Sequence, residues 1–186
     1  ENLLEIWIVG GDFDSKYVNG SGCTFVLCDF FDFESQSTSL VLGSRPAYNF
    51  AASFKITADA FFLRYLASES LALEVHQAVK GDFHVVGRTS LRLSPLLVHS
   101  SGALKDSAVP VRHVTTNATV GRLHLVIRVA LPLTEIWQLH LQACPSDGAF
   151  LTADHPTAAS AHAAAVDLVP DDAPLNDLQV CILWFA

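Results

Sequence analysis

Methionine is absent from this 186-residue chain, basic residues are few, and no apolar run is long enough for a membrane-spanning helix. Such a helix needs about 18 consecutive apolar residues. The first position is not Met either, so we expect the sequence to be a piece of a longer protein whose targeting cannot be read from its start. Because 51% of the residues are hydrophobic, a globular domain with an ordinary core is expected.

Positive charge is scarce and unevenly placed. All 11 Lys and Arg residues precede residue 142, whereas residues 142–186 carry six of the 19 acidic residues and no basic residue. A weakly acidic domain with scattered bases lacks the positive patch that attracts nucleic acid or anionic lipid. The composition therefore argues against nucleic acid as a partner and gives little support to a membrane surface.

The cysteines are too few and too widely spaced for a disulfide framework or a CxxC pair. Two of them, Cys23 and Cys28, lie five positions apart in one predicted strand, so their side chains point to opposite faces. Cys144 and Cys181 lie far from them in the sequence. We interpret the four as free thiols of a reduced, intracellular protein.

Alternation of apolar and polar residues predicts β-strands along most of residues 1–131. In the clearest run, 48–57, the apolar side chains fall on one face of the strand. The run 24–33 is apolar on both faces, which predicts a strand in the middle of a sheet with both faces covered. The predicted strands are 2–9, 24–33, 38–42, 48–57, 71–76, 83–93, 109–114 and 121–131.

Three short segments have helical spacing instead. Residues 58–70 predict a short helix or a compact crossover that plugs one end of the fold. Ser94 with Pro95 predicts a capped helical turn with Pro at its first position. Pro132 is placed to begin a helix over 133–142, which carries Ile136, Trp137 and Leu139. Eight strands with short helical insertions predict an all-β, eight-stranded antiparallel sandwich.

The domain is predicted to occupy residues 1–141. Residues 142–174 are rich in Ala, Pro, Asp and Ser without a helical or strand period, which predicts an acidic linker. Residues 175–186 alternate again and are interpreted as the start of a following domain.

The order of these elements resembles that of a C2 domain, with a long first loop, an aromatic-rich strand, a crossover and a Leu-x-Leu-x-Val strand before a loop. Four segments are similar to the central C2 domain of the retinitis pigmentosa GTPase regulator-interacting protein family, which includes the ciliary protein fantom. They are Asn2-Leu3-Leu4-Glu5-Ile6, Phe30-Phe31-Asp32-Phe33-Glu34, Pro46-Ala47-Tyr48-Asn49-Phe50 and Leu73-Glu74-Val75-His76-Gln77-Ala78. A fifth, Asn176-Asp177-Leu178-Gln179-Val180, resembles the start of the family's next C2 domain.

The resemblance implies a scaffold role in the cilium, at the transition zone, axoneme or basal body. Members of the family tether membrane-associated complexes to microtubules and bind a nephrocystin through their C2 region. The resemblance thus implies protein partners, no cofactor and no catalytic residues. The long first loop and the Ala-rich segment after residue 141 depart from the family pattern.

Calcium is the ligand to test first in a C2-like chain. Calcium needs six to eight oxygen ligands, which C2 domains supply as several Asp residues from two loops. Here Gln77 and Val79 stand where acidic residues are expected, and only Asp12, Asp14 and Asp82 lie near the predicted loops. We therefore predict a calcium-independent domain without a metal site.

A zinc site and a catalytic function have less support in the sequence than a calcium site has. None of the eight His residues forms a pair with ligand spacing on a common predicted element, and His76, His84 and His124 are expected on exposed strand faces or beside a loop. No Gly-x-Ser-x-Gly elbow or comparable signature is present. We predict that the chain is not an enzyme, although scattered Ser, His and Asp residues leave a triad formed in space open.

Exposed apolar residues are the remaining signal. Trp7, Val9 and Val126 are expected to point away from the buried faces of their strands, where they either form a partner surface or are covered by loops or by the helix after Pro132. The alternative function is a peripheral membrane-targeting domain, which needs either a basic concave strand or apolar side chains that project together from loop tips towards a bilayer. Its candidate residues are Phe13, Tyr17, Val79 and Phe83.

Overall fold

Nine β-strands and four short α-helices make up residues 1–152, the part of the chain that the computed structural model describes, with the side chains of residues 106, 107 and 152 excluded. The strands are β1 (Asn2–Phe13), β2 (Cys23–Asp29), β3 (Gln36–Ser37), β4 (Val41–Leu42), β5 (Ala47–Ile56), β6 (Ser70–Val79), β7 (Asp82–Arg92), β8 (Ala103–Arg112) and β9 (Thr119–Val129). The helices are α1 (Ala60–Ser68), α2 (Pro95–Val98), α3 (Thr134–Ala143) and α4 (Ala149–Thr152), and a 3₁₀ turn (Pro145–Gly148) joins α3 to α4. None of these helices has the length and apolar character needed to cross a membrane.

The strands form two antiparallel layers. Strands β3 and β4 both pair with β2, which continues through β6 to β7 as the first layer. The second layer runs in the order β8, β9, β1, β5. Among the described residues the two layers share one paired position, Arg88 of β7 with Arg112 of β8. The predicted all-β antiparallel sandwich is confirmed, with nine described strands rather than eight because a short strand, β3, forms at Gln36–Ser37, where no strand was predicted.

The core lies between the layers and is built from the alternate residues of each strand. On β9 the predicted inward side chains, Leu123, Leu125, Ile127 and Val129, are all buried. On β5 the predicted apolar face is buried as well, apart from the half-buried Phe50. A period of two therefore located the buried faces correctly, because side chains on a strand alternate between its faces.

The predicted helix over 58–70 is confirmed as α1, which buries Phe62, Leu63 and Leu66 against the core. Asp59 caps it by accepting a hydrogen bond from the backbone N–H of Phe62 at 2.9 Å. At α2, Pro95 stands in the first turn as predicted, but the cap prediction was wrong, because the Ser94 side chain makes no capping hydrogen bond.

The aromatic run that follows β2 leaves the sheet, so the predicted strand 24–33 was too long. β2 ends at Asp29, and Phe31 takes a positive φ of 54°. The backbone N–H of Phe31 donates to the Tyr65 hydroxyl of α1 at 3.0 Å, and the Phe30 ring packs edge-on against the same residue. Docking on α1 therefore outweighs the strand period of this run. On β2 itself one face is buried and the other is only partly covered, which corrects the prediction of two covered faces.

Two further strands differ from prediction. The predicted strand 38–42 is limited to β4, and Thr38 lies before it, where its backbone N–H donates to the Val26 carbonyl and its hydroxyl accepts from the Val26 N–H, both at 3.0 Å. β8 begins at Ala103, six residues before the predicted strand, and it includes Pro110. The proline and the charged residues of this strand obscured its alternation.

The C-terminal part of the described chain is helical up to Thr152, although residues 142–174 were predicted to be a linker. α3 passes residue 141 and buries Trp137, while Leu139 and Ile136 remain exposed. Arg64 of α1 holds the 3₁₀ turn by donating to the buried Asp147 carboxylate at 2.7 Å, and this hydrogen bond lowers the pKa of Asp147 below its ordinary value. Residues 153–186, including the predicted strand 175–186, lie outside the described residues, so the division into domains stays a prediction.

Candidate protein-binding surface

The loops where calcium would bind in a C2-like fold lie at one end of the sandwich, and their acids are engaged locally. Asp12 pairs with Arg45 at 3.0 Å, and the Asp14 carboxylate accepts the backbone N–H of Lys16 at 2.9 Å. Asp82 accepts the backbone N–H of its neighbour Phe83 at 2.8 Å. In residues 1–152, no group of three or more acidic, His or Cys ligands forms around these carboxylates.

A two-residue turn replaces the predicted loop 78–82. Lys80 and Gly81 both have positive φ, 52° and 89°, which is the conformation of a tight hairpin turn. β6 therefore continues to Val79, which pairs with Asp82. At this hairpin no long loop projects from the sandwich.

The apolar residues proposed to enter a membrane do not project together. Phe13 is buried, and Tyr17 packs against the His113 ring at 5.6 Å. Val79 pairs with Asp82 whereas Phe83 pairs with Ala78, so Val79 and Phe83 lie on opposite faces of the hairpin. These four residues therefore do not share the direction that insertion from loop tips requires.

The apolar residues predicted to be exposed on the second layer are partly covered. Trp7 of β1 and Val126 of β9 are directly paired and half-buried, and only Val9 is exposed, at 38%. The indole N–H of Trp7 is buried and has no hydrogen-bond partner among the described residues. This face therefore offers less apolar surface than the sequence predicted.

A larger apolar surface lies on the outer side of the first layer. Two neighbouring rows of cross-strand partners build it, one from β4 to β7 and one from β2 to β7. Directly paired residues point to the same side of a sheet, so each row forms one continuous strip. We call this surface the Phe25 face; it consists of Leu42, Cys23, Ala78 and Phe83 in the first row and Phe25, His76 and Val85 in the second.

Aromatic contacts organise the centre of the Phe25 face. The Phe25 ring stacks on His76 with centroids 4.8 Å apart and planes 14° apart, and it meets Phe83 edge-to-face at 5.3 Å. Both geometries are favourable for aromatic pairs. The Glu74 carboxylate lies 3.1 Å from His76 Nε2, and Glu74 also accepts from Arg88 at 2.6 Å. An ion pair therefore borders the aromatic cluster.

Leu42 and Phe83 stand at the two sides of the first row and remain uncovered by residues 1–152. Leu42 is 63% exposed and Phe83 is 54% exposed. Contiguous exposed apolar surface with a polar rim is typical of protein-binding sites, where buried aromatic side chains carry much of the affinity. The Phe25 face is therefore suited to bind the apolar side chains of another protein.

The sequence placed Phe83 at the start of a strand, as a candidate for membrane insertion beside a loop, and His76 on an exposed strand face or beside a loop. His84 is exposed on β7, and His124 is half-buried on β9 beside β1, so neither joins His76. Phe25 was missed as a surface residue because apolar residues on both faces of β2 favour a covered strand, and Leu42 was missed because it ends a separate short strand, β4. The pairing of β2 with β4 and β6 places these residues on one face, and the exposure of Leu42 and Phe83 shows that both sides of its first row are open.

Comparison with known proteins agrees with this architecture. A family model described as the first C2 domain of RPGR-interacting protein 1 matches residues 1–132. The mouse X-linked retinitis pigmentosa GTPase regulator-interacting protein 1 is 31% identical over 153 residues, which covers 77% of this chain and 11% of the mouse protein. The cattle protein of the same name is 34% identical over 90 residues, 46% of this chain and 7% of that protein. The chain thus spans about a tenth of the length of these relatives.

Solved structures with lower identity share the fold. CC2D1B, described as coordinating ESRCT-III activity during the mitotic reformation of the nuclear envelope, gives a TM-score of 0.64 at 21% identity, covering 75% of this chain and 60% of that chain. A C2 domain of plant Extended Synaptotagmin 1 gives a TM-score of 0.55 at 15% identity, covering 70% of this chain and 95% of that chain. The family model covers more than half of the chain, and so the chain belongs to the RPGR-interacting protein 1 family, in its first C2 domain.

Proposed function

We propose that this C2 domain is a calcium-independent, non-catalytic protein-binding module of a ciliary scaffold at the transition zone or basal body. The observation that carries the proposal is the Phe25 face, with Leu42 and Phe83 more than half exposed beside a stacked aromatic pair. A partner that covers these side chains gains about 25 cal/mol per Å² of apolar surface removed from water.

The partner is proposed to be a ciliary protein. The name of the relatives describes a protein that interacts with the retinitis pigmentosa GTPase regulator. The family resemblance adds a nephrocystin as the first partner to test. A protein ligand suits the Phe25 face better than a nucleic acid does, because the face is apolar and the whole chain has a net charge of −8.

Calcium independence is proposed from the state of the loop acids. Asp12 is paired with Arg45, and Asp14 and Asp82 accept hydrogen bonds from neighbouring backbone groups. Calcium requires several carboxylates that converge on one point. Binding of the partner is therefore expected to be equal with calcium and with a chelator.

The experiment is a binding titration of the full chain with a purified nephrocystin, in calcium and in chelator. The variant Leu42→Ser with Phe83→Ser removes both exposed ends of the face, and a loss of affinity of about tenfold or more is expected. The matched control is Leu131→Ser, since Leu131 is 61% exposed but lies after β9, outside the face. The control should bind as tightly as the original chain.

The same chains should be sedimented with anionic liposomes. Liposome binding in both calcium and chelator, lost in the double variant, would favour the membrane-targeting alternative. Liposome or partner binding only with calcium would contradict the proposed calcium independence. Unchanged partner affinity in the double variant would show that the Phe25 face is not the binding surface.

A further inference from the structure

Three groups with metal-binding chemistry meet at the C-terminal end of α3. They are the imidazole of His140, the thiol of Cys144 and the carboxylate of Asp147, which we call the His140 cluster. One ligand atom from each lies within 4.8 Å of the others. Among residues 1–152 this is the one such group of three or more His, Cys, Asp or Glu side chains.

Local structure brings the three side chains together. His140 and Cys144 are four residues apart at the end of α3, where the Cys144 N–H donates to the His140 carbonyl at 2.8 Å, so both side chains lie on one side of the helix. Pro145 then begins the 3₁₀ turn, which folds the chain back. The Asp147 N–H donates to the Cys144 carbonyl at 3.2 Å, and this turn returns the carboxylate to the other two groups.

The cluster is largely enclosed. The side chains of His140 and Asp147 are each 7% exposed, and His140 Nε2 lies 2.7 Å from Asp147 Oδ2. The buried Trp137 ring stacks on the imidazole at 5.4 Å, with the planes 22° apart, and limits its rotation. Two of the three groups are thus held in place before any ligand binds, which reduces the entropy that binding must overcome.

Arg64 of α1 borders the cluster and belongs to its outer surroundings. Its Nε donates to Asp147 Oδ2 at 2.7 Å, and its terminal nitrogen lies 3.8 Å from Cys144 Sγ. The Arg64 side chain is 51% exposed, so it has room to move. Carboxylate ligands of metals commonly accept a second hydrogen bond from outside the site, and Arg64 is placed to supply one.

We propose that the His140 cluster binds a divalent transition ion, zinc in the first instance, through His140 Nε2, Cys144 Sγ and one Asp147 oxygen, with water in the fourth position. Thiolate and imidazole ligands favour zinc over calcium or magnesium. A tetrahedral zinc site separates its nitrogen and oxygen ligands by about 3.3 Å and sulfur from either by about 3.6 Å, from the usual bond lengths. In the cluster the ligand atoms all lie within 4.8 Å of one another, and His140 Nε2 and Asp147 Oδ2 are 2.7 Å apart, so the imidazole and the carboxylate separate slightly when an ion binds between them.

The proton balance of binding is simple. A neutral imidazole donates its Nε2 proton to the Asp147 carboxylate, which can only accept; when the ion binds, Nδ1 takes up a proton from solvent, Nε2 releases one, and the Nε2 lone pair binds the ion. The Cys144 thiol loses its proton to solvent, so one proton is released for each ion bound. The bound ion would join the end of α3 to the 3₁₀ turn beside α1.

The test is a titration of the full, reduced chain with Co²⁺, followed by displacement with Zn²⁺. We expect one ion per chain, with the visible bands of tetrahedral cobalt and a thiolate-to-cobalt band in the near ultraviolet. Cys144→Ser should abolish the thiolate band and weaken zinc binding at least tenfold, and His140→Gln should weaken it similarly. Cys23→Ser and Cys181→Ser are the matched controls and should retain the band.

A further variant tests whether the cluster binds a metal ion or serves only as an ion pair that stabilises the fold. Arg64→Gln removes the outer hydrogen bond that holds the Asp147 carboxylate, so zinc should bind to this variant about tenfold more weakly. Far-ultraviolet circular dichroism of each variant without metal checks that it is folded. The proposal is overturned if the original chain gives no stoichiometric thiolate band, or if Cys144→Ser binds zinc as tightly as the original chain.

Discussion

A single hydrogen bond between two hydroxyl groups links the two layers in the middle of the core. The Thr24 hydroxyl of β2 and the Tyr48 hydroxyl of β5 lie 2.7 Å apart, and both residues are buried, at 0% and 6% exposure. Burial raises the pKa of Tyr48 to about 12, while the bond to Thr24 acts in the opposite direction. Each hydroxyl therefore depends on the other, because a buried polar group without a partner is costly.

Tyr48→Phe should lower the free energy of unfolding by about 1–2 kcal/mol, because the Thr24 hydroxyl then loses the partner it has in the core. The measurement is urea unfolding followed by fluorescence. The double variant Thr24→Val with Tyr48→Phe is the control and should lose less than the sum of the two single variants. Strict additivity would contradict the proposed dependence of the two groups.

Cys28 provides a prediction on alkaline stability. Burial, together with the nearby charge of Asp29, raises the pKa of its thiol from 9.0 to about 12. The unfolded thiol ionises near pH 9 while the folded thiol stays neutral, so this contribution to stability is complete below pH 9 and is lost as the pH rises towards 12.

The free energy of unfolding of Cys28→Ala should therefore fall less between about pH 8.5 and about 10.5 than that of the original chain. At the lower pH the variant should be the less stable of the two, because it leaves a cavity in the core. Urea unfolding at a series of pH values measures the slope. Cys23→Ala is the matched control, because Cys23 is only half-buried on the Phe25 face. An equal slope in Cys28→Ala and the original chain would contradict the prediction.

Among the elements, α1 shows how local sequence and packing cooperate. The buried residues of α1 alone are compatible with a helix that starts at any of several residues. The Asp59 carboxylate fixes the first residue of the helix by accepting a hydrogen bond from the Phe62 N–H. Starting there places Tyr65 under the Phe30–Phe33 run and Arg64 beside Asp147. The start of one helix thus sets contacts at two distant parts of the chain.

Asp59→Ala should lower the free energy of unfolding by about 1 kcal/mol, the usual value of a helix N-cap. Chemical unfolding of the variant measures the loss. Asp59→Asn keeps an oxygen that accepts the same hydrogen bond, so it should recover most of the stability. If Asn were as damaging as Ala, the contribution of Asp59 would not be capping.

At the scale of the whole molecule, the junction between the two layers is a tightly constrained position. Arg88 of β7 pairs with Arg112 of β8. Each guanidinium points away from the other: Arg88 donates to Glu74 at 2.6 Å, and Arg112 donates to the Thr119 hydroxyl at 2.8 Å. Beside it, a Cβ added to Gly87 would lie 2.7 Å from the Arg112 carbonyl oxygen. Glycine permits the close approach of the two backbones.

Gly87→Ala should therefore lower the free energy of unfolding by about 1–3 kcal/mol, the range for an overpacked core position. Gly20→Ala is the control, because an added Cβ at Gly20 meets nothing within 4 Å. Thermal unfolding of both variants provides the comparison. Equal melting temperatures would show that the junction accommodates the methyl group.

Prediction from sequence succeeded where one face of a strand is buried along its whole length, as in β5 and β9. It failed where packing on another element competes with the strand period, as at Phe31, which docks on Tyr65 of α1. It also failed at β8, where Pro110 obscures the alternation. Local patterns report the period of a segment, whereas the neighbours that cover it lie far away in the sequence.

The sequence by itself determined the antiparallel sandwich, the family and the shortage of acids at the loops, because each is expressed in local alternation or in residue type. Tertiary structure decided which apolar residues remain uncovered and which polar groups meet. Phe25 and Leu42 belong to one surface only through the pairing of β2 with β4 and β6. His140 and Asp147 meet only because the 3₁₀ turn reverses the chain after α3. Exposure and proximity depend on contacts between distant segments, and no local period specifies them.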